Sequence, residues 1–173
     1  LDVSSEELEE SLYTQINLVK EVCKSLGAKL HHIKPHGALY NEAAKNKALS
    51  TLLCQMVKKV DPLIKLYGLA HSLTEKVAKE HGIEFIAEAF ADRRYEADKT
   101  LLSRRTEGAV LVDEMEVLQQ IEELVLNQRV YADDWVAIKA QTICLHSDTR
   151  GAVNLAEKIR NHLEKKGVHI VAV

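Results

Sequence analysis

The stretch His31-His32-Ile33-Lys34-Pro35-His36-Gly37-Ala38-Leu39-Tyr40-Asn41 places a proline and a glycine, two residues apart, between a short apolar run and a helical pattern. Proline cannot donate to a strand ladder and biases Lys34 toward an extended conformation, so a strand over Ala28–Ile33 must stop at Pro35. Gly37 lets the backbone turn, and Asn41 is expected to cap the helix that follows. Alternation puts Leu30, His32 and Lys34 on one face and His31 and Ile33 on the other. Polar and ionisable side chains are thus delivered at the C-terminal end of a strand.

The same strand-then-helix order recurs along the chain. Ser4 with Glu7 forms a capping box for a helix whose apolar stripe is Leu8, Leu12, Ile16, Val19 and Val22, ending at Gly27. A helix from Asn41 carries Ala44, Leu49, Leu52, Leu53, Met56 and Val57 and ends at Asp61-Pro62. Leu63–Tyr67 is a strand closed by Gly68, and Ser72 with Glu75 caps a helix to His81, with Gly82 beyond it. Ile83–Ala87 is the next strand. Glu88–Glu107 is a polar stretch without periodicity, of the length that is functional or disordered in compact domains. Asp113 with Glu116 caps a helix bearing Val117, Leu118, Ile121, Leu124 and Val125. Residues 128–139 suggest short strands around Val130 and Val136. Ala140–Leu145 is a strand, Asp148 caps a helix over Thr149–Lys165, and Val168–Val173 is a last strand.

Strands alternating with helices predict parallel βαβ units, in a barrel or a doubly wound sheet, as a single domain over residues 1–173. In both architectures chemistry gathers at the C-terminal strand ends, here Lys34–His36, Gly68–His71, Glu88–Arg93 and His146–Asp148.

Charge and cysteine usage narrow the function classes. A net charge of −3 with both signs interspersed gives no basic stripe, which argues against nucleic acid as a partner. Three cysteines without a CxxC fit a reducing compartment, and the cytoplasm is the expected location. No apolar run approaches the roughly 18 residues of a membrane span, and no signal-peptide pattern precedes Ser4. The chain begins at Leu1, so either processing or a missing preceding segment is expected.

Lys34 and His36 are open to two readings: an ammonium reaching solvent beside an imidazole that caps backbone, or members of an active site. Thr142, Cys144 and His146 share one strand face, while Ile143 and Leu145 suit a helix layer on the other. Lys34, His36, Glu88, Asp92 and His146 are therefore expected around one cavity. Glu88, Asp92 and Arg93 are either a solvated cluster of ion pairs or a carboxylate base beside a guanidinium clamp. A thiol nucleophile at Cys144 beside His146 and a metal held by His36, His146 and Asp148 are weaker alternatives, and no spacing predicts a structural metal.

HHIKPHGALYN at 31–41, DPLIKLYGLAHS at 61–72, EAFADRRYEAD at 88–98, GAV at 108–110 and AQTICLHSDT at 140–149 resemble, in order, the LamB/YcsF family of prokaryotic-type 5-oxoprolinase A subunits. The resemblance implies a (β/α) barrel of the glycoside hydrolase and deacetylase type, seven-stranded-like and incomplete here, because family members begin with an Asp-, Asn- and His-rich segment unmatched in this chain. It implies ATP-dependent hydrolysis of the 5-oxo-L-proline lactam to L-glutamate, with ATP and Mg²⁺ and with separate B and C subunits. By position, Lys34, His36, Asp92 and His146 would be catalytic, and Tyr40, Asn41, Glu88, Arg93, Thr142 and Asp148 would bind substrate, with no metal held by side chains. His71, Arg94, Lys99, Ser103 and Ser147 stand where Gly, Gly, Gly, Pro and Gly look usual, so strained turns are expected. Alternatives are a catalytically incompetent partner-binding remnant and a metal-dependent deacetylase-like hydrolase. Open sheet edges would favour pairing with a second copy or with the absent segment, unless the chain's own loops cover them.

Overall fold

The computed structural model describes residues 3–148 and 151–172. The chain divides into two compact units, Leu1–Ile86 and Ala87–Val173, and the boundary falls inside a strand.

In the first unit the capping box is complete. The Ser4 hydroxyl accepts from the Glu7 N–H at 3.1 Å, the Glu7 carboxylate accepts from the Ser4 N–H at 2.8 Å, and α1 runs Ser5–Ser25. Gly27, at φ 69°, closes it with paired bonds from the Gly27 N–H to the Lys24 carbonyl and from the Ala28 N–H to the Cys23 carbonyl. Leu12 and Ile16 pack on the core, but Val19 and Val22 remain 52% and 58% exposed, so two of the five stripe positions are unused.

Strand β1 is only His32–Ile33, shorter than expected, since the cap of α1 already takes the Ala28 N–H. It is followed by α2 (Gly37–Ala43) and α3 (Lys47–Val60). The single helix expected from Asn41 is therefore two. The Asn46 side chain accepts from the N–H groups of Ala48 and Leu49 and starts the second, while Asn41 lies inside the first and donates to the Gly37 carbonyl.

Strand β2 is Lys65–Leu69 and pairs parallel with β1, His32 opposite Lys65 and Ile33 opposite Leu66. Leu63 is 86% exposed rather than in the strand, because the Asp61 carboxylate accepts its N–H and turns the chain. Gly68 sits within β2, where a Cβ would come within 2.8 Å of the Phe85 ring. Helix α4 (Leu73–Glu80) is capped by Ser72, but the Glu75 carboxylate turns to the His71 N–H at 2.6 Å instead of completing a box. Cys54, Met56 and Val57 of α3 close over Leu66, Val77 and Ile83, and burial pushes the Cys54 thiol up to about 11.

Strand β3 (Phe85–Phe90) carries the chain into the second unit, which adds α5 (Glu114–Leu126), β4 (Arg129–Ala132), β5 (Asp134–Ala137), β6 (Thr142–Cys144) and α6 (Ala152–Lys165). Asp113 caps α5 as expected. The short strands expected around Val130 and Val136 form an antiparallel hairpin. β3 and β6 are parallel, with Glu88 opposite Thr142, Ala89 opposite Ile143 and Phe90 opposite Cys144. Ile143 and Leu145 pack against a core built from Val117 and Ile121 of α5 and Ile159 and Leu163 of α6, as alternation required.

The expected helix start at Thr149 lies outside the described residues, as does Val173. Residues 168–172 form no strand, and of these Val168 packs on the core. Each unit thus holds parallel strands joined through helices, an α/β fold with a parallel sheet.

Candidate active site

The register of β3 and β6 fixes the central feature. With Phe90 opposite Cys144, two further residues on each chain bring Asp92 beside His146. The His146 Nδ1 lies 2.9 Å from one Asp92 carboxylate oxygen and 3.1 Å from the other, and the His146 N–H donates to the second at 3.2 Å. Asp92 is 0% exposed and the His146 side chain 24%. The Phe90 ring stacks on the imidazole at 5.4 Å. An ionised carboxylate only accepts, so Nδ1 carries the proton and Nε2 is the nitrogen left for a substrate.

Arg93, also buried, gives donors to backbone carbonyls. Its guanidinium donates to the Leu102 carbonyl at 2.6 Å and the Ala109 carbonyl at 3.4 Å, which ties down the polar stretch that follows. Burial, and then the like charge of Arg104, lowers its basicity. Tyr95 is the other anchor of that stretch. Its hydroxyl oxygen accepts from the Phe90 N–H at 2.7 Å, and burial pushes the phenol far above its ordinary range. Isolated bridges between Arg93 and Val110 and between Tyr95 and Leu101 complete an ordered loop. Glu88 is buried on β3 opposite the half-buried Thr142. Asp148 is exposed and bonds Arg104 at 3.1 Å, which holds its carboxyl below the usual carboxylate range.

In the first unit the Lys34 ammonium lies 5.7 Å from the centre of the buried Tyr40 ring. His36 precedes α2 as an exposed residue without a side-chain cap bond. His32 stacks on Tyr67 at 4.1 Å.

The structure therefore joins Asp92 with His146, Lys34 with Tyr40, and Glu88 with Thr142 by register. Asn41 is occupied with the Gly37 carbonyl, and Asp148 with Arg104. Among the described residues no three His, Cys, Asp or Glu side chains converge to hold a metal ion. Of the positions where glycine looked usual, His71 and Lys99 adopt φ 61° and 72°, as expected, and Arg94 and Ser147 do not have positive φ.

Sequence reasoning missed Tyr95 and Gln120. A lone aromatic in a polar stretch is a faint signal for the first. Nothing marks Gln120, which looks like any polar residue on an amphipathic helix, yet its side-chain amide reaches three backbone carbonyls at the end of β3. A concavity of about 160 Å³, lined by Arg94, Glu116, Gln120, Glu123, Tyr131 and Trp135, has its charges paired, Arg94 with Glu116 at 2.9 Å and Glu123 with Arg129 at 2.6 Å.

The pattern of the LamB/YcsF family matches residues 1–173. The 5-oxoprolinase A subunit of Histophilus somni (strain 129Pt) is 41% identical over 174 residues, covering 99% of this chain and 70% of that protein. Those of Tolumonas auensis and Shouchella clausii are 40% and 38% identical, with 70% and 69% of their lengths covered by 100% and 99% of this chain. The crystal structure of a lactam utilization protein from Thermus thermophilus superposes with a TM-score of 0.90 at 32% identity, over 100% of this chain and 70% of that one. No helix among the described residues is long and apolar enough to cross a membrane.

Proposed function

The chain belongs to the LamB/YcsF family, and from that premise we propose that it acts as the A subunit of an ATP-dependent 5-oxoprolinase, opening the lactam of 5-oxo-L-proline to L-glutamate together with B and C subunits. Its strands are proposed to belong to the (β/α) barrel of that family. The observation that carries the reading is the buried Asp92 carboxylate bonded to a half-buried His146 at adjacent parallel strand ends.

A γ-lactam is a stabilised amide that water does not open unaided at neutral pH. ATP, when bound, supplies a phosphoryl group that converts the lactam oxygen into a leaving group. His146 Nε2 would take a proton from the attacking water and return it to the ring nitrogen as the C–N bond breaks, and a second water would then hydrolyse the resulting acyl phosphate to L-glutamate and inorganic phosphate. Asp92 holds the Nδ1–H tautomer and offsets the imidazolium charge. Lys34 is a compact ammonium suited to offsetting phosphate charge, and His36 is a second imidazole at a strand end. Mg²⁺ would arrive on the nucleotide phosphates, which suits a chain whose described residues hold no ready ligand set. Glu88 and Thr142 are proposed to contact the substrate, and the Arg93 donors not given to backbone would meet its carboxylate.

Reconstitution with B and C subunits tests the reading through 5-oxoproline-dependent ATP hydrolysis and glutamate release. His146→Ala is expected to lower turnover about 10²–10⁴-fold. Unchanged turnover in that variant would leave a partner-binding role instead.

A further inference from the structure

We propose that Gln120 is a positioning residue whose side-chain amide clamps the carbonyls of Phe90, Ala91 and Arg93 and so sets how Asp92 presents its carboxylate to His146. The inference rests on reading Asp92 and His146 as the proton-handling pair.

The Gln120 Nε2 donates to these three carbonyls at 2.9, 3.0 and 2.9 Å. The carbonyl left over in the same four residues, that of Asp92, accepts from the Leu111 N–H at 2.9 Å. One side chain thus binds three of the four carbonyls around the carboxylate. Successive carbonyls of an extended strand point to opposite sides, so two neighbours converging on one nitrogen require the chain to curl off the strand just after Phe90. That curl is what Asp92 sits on. The Ala91 N–H bonded to the Cys144 carbonyl at 2.9 Å fixes the strand side of it, and the Arg94 N–H bonded to the Ala109 carbonyl at 3.0 Å fixes the loop side.

The clamp is itself held firmly. Gln120 lies on α5 beside Val117 and Ile121, both 0% exposed in the core, so the helix cannot rotate without breaking that packing. An amide has two protons for three acceptors, so one is shared, and no residue lacking a donor at that reach can substitute.

The test uses the protein with its B and C subunits, and reads the His146 tautomer by ¹⁵N–¹H correlation of the imidazole alongside kcat and KM. Gln120→Met, similar in volume but without donors, is expected to lose the single Nδ1–H pattern. Its kcat should fall about 10–100-fold, the usual effect of removing an orienting partner, with KM within about twofold. Gln120→Lys restores N–H donors at similar reach and is expected to recover the pattern. Gln119→Leu, on the same helix but not bonded to these carbonyls, should change neither. A Met variant with the native tautomer pattern, or a folded Lys variant without it, overturns the inference. Loss of the pattern in the Met variant with turnover unchanged supports the clamp and refutes the role given to Asp92 and His146.

Discussion

Removing the Asp92 carboxylate tests the site most directly, because Asp92→Ala and Asp92→Asn should fail in different ways. Asp92 is 0% exposed and accepts two His146 donors, the backbone N–H at 3.2 Å and Nδ1 at 2.9 Å. Hydrogen bonds to a charged group contribute about 1.5–3 kcal/mol each, and stripping one partner from a buried pair costs about 3–5 kcal/mol in all. At about 2–4 °C per kcal/mol for a chain of this size, Asp92→Ala should lower Tm by about 6–20 °C.

Asp92→Asn keeps one acceptor for the backbone N–H and places an amide NH₂ against Nδ1. The imidazole must then shift its proton to Nε2, the nitrogen proposed to act as base. We expect a Tm loss well below that of the Ala variant, but turnover reduced about 10²–10⁴-fold. Differential scanning calorimetry and 5-oxoproline-dependent ATP hydrolysis measure the two effects separately. An Asp92→Ala variant with unchanged Tm would refute the pairing, and an Asp92→Asn variant within about threefold of full turnover would refute its function.

Replacing Lys99 with glycine should stabilise the protein. Relief of the left-handed conformation at about 1–2 kcal/mol, less the extra unfolded-state entropy of glycine, leaves about 0.5–1 kcal/mol, and a lower urea midpoint in the variant would contradict this. Gly68→Ala should cost about 1–3 kcal/mol, since its Cβ would lie 2.8 Å from the Phe85 ring, and Phe85→Leu in the same chain should recover part of that loss in thermal unfolding. The Glu122 carboxyl is held below its ordinary value by its bond to Lys166 and then by that to His162. A depressed folded value contributes stability above the unfolded value, near pH 4.5, and loses it as pH falls through the folded one. The stability difference between native chain and Glu122→Gln should therefore be constant near neutrality and shrink below about pH 4.5; a difference that grew with acid would reverse the sign.

Local chemistry was legible at several helix starts, although Asn41, expected as a cap, lies inside α2. Ser4, Ser72 and Asp113 cap helices because a side-chain oxygen facing free N–H groups needs no distant partner. Ile143 and Leu145 were assigned to the helix layer by alternation alone, and His71 and Lys99 could be suspected of backbone strain by comparison with a glycine pattern. Asp92 and His146 could be named as chemistry-bearing residues at strand ends.

What the sequence determined by itself was therefore the alternation of strands and helices, their caps, and the ionisable residues that the strand ends deliver. Tertiary structure alone decided how these residues are used. The register of β3 against β6 converts two residues 54 positions apart into a bonded pair. Packing of α5 aims Gln120 at three carbonyls, and the fold brings the Leu102 and Ala109 carbonyls to Arg93, which ties down its own loop. The length of β1 and the exposure of Val19 and Val22 were settled in the same way. Each depends on which distant surface arrives to take a hydrogen bond or cover a side chain, and a local pattern of residue types carries no information about that arrival.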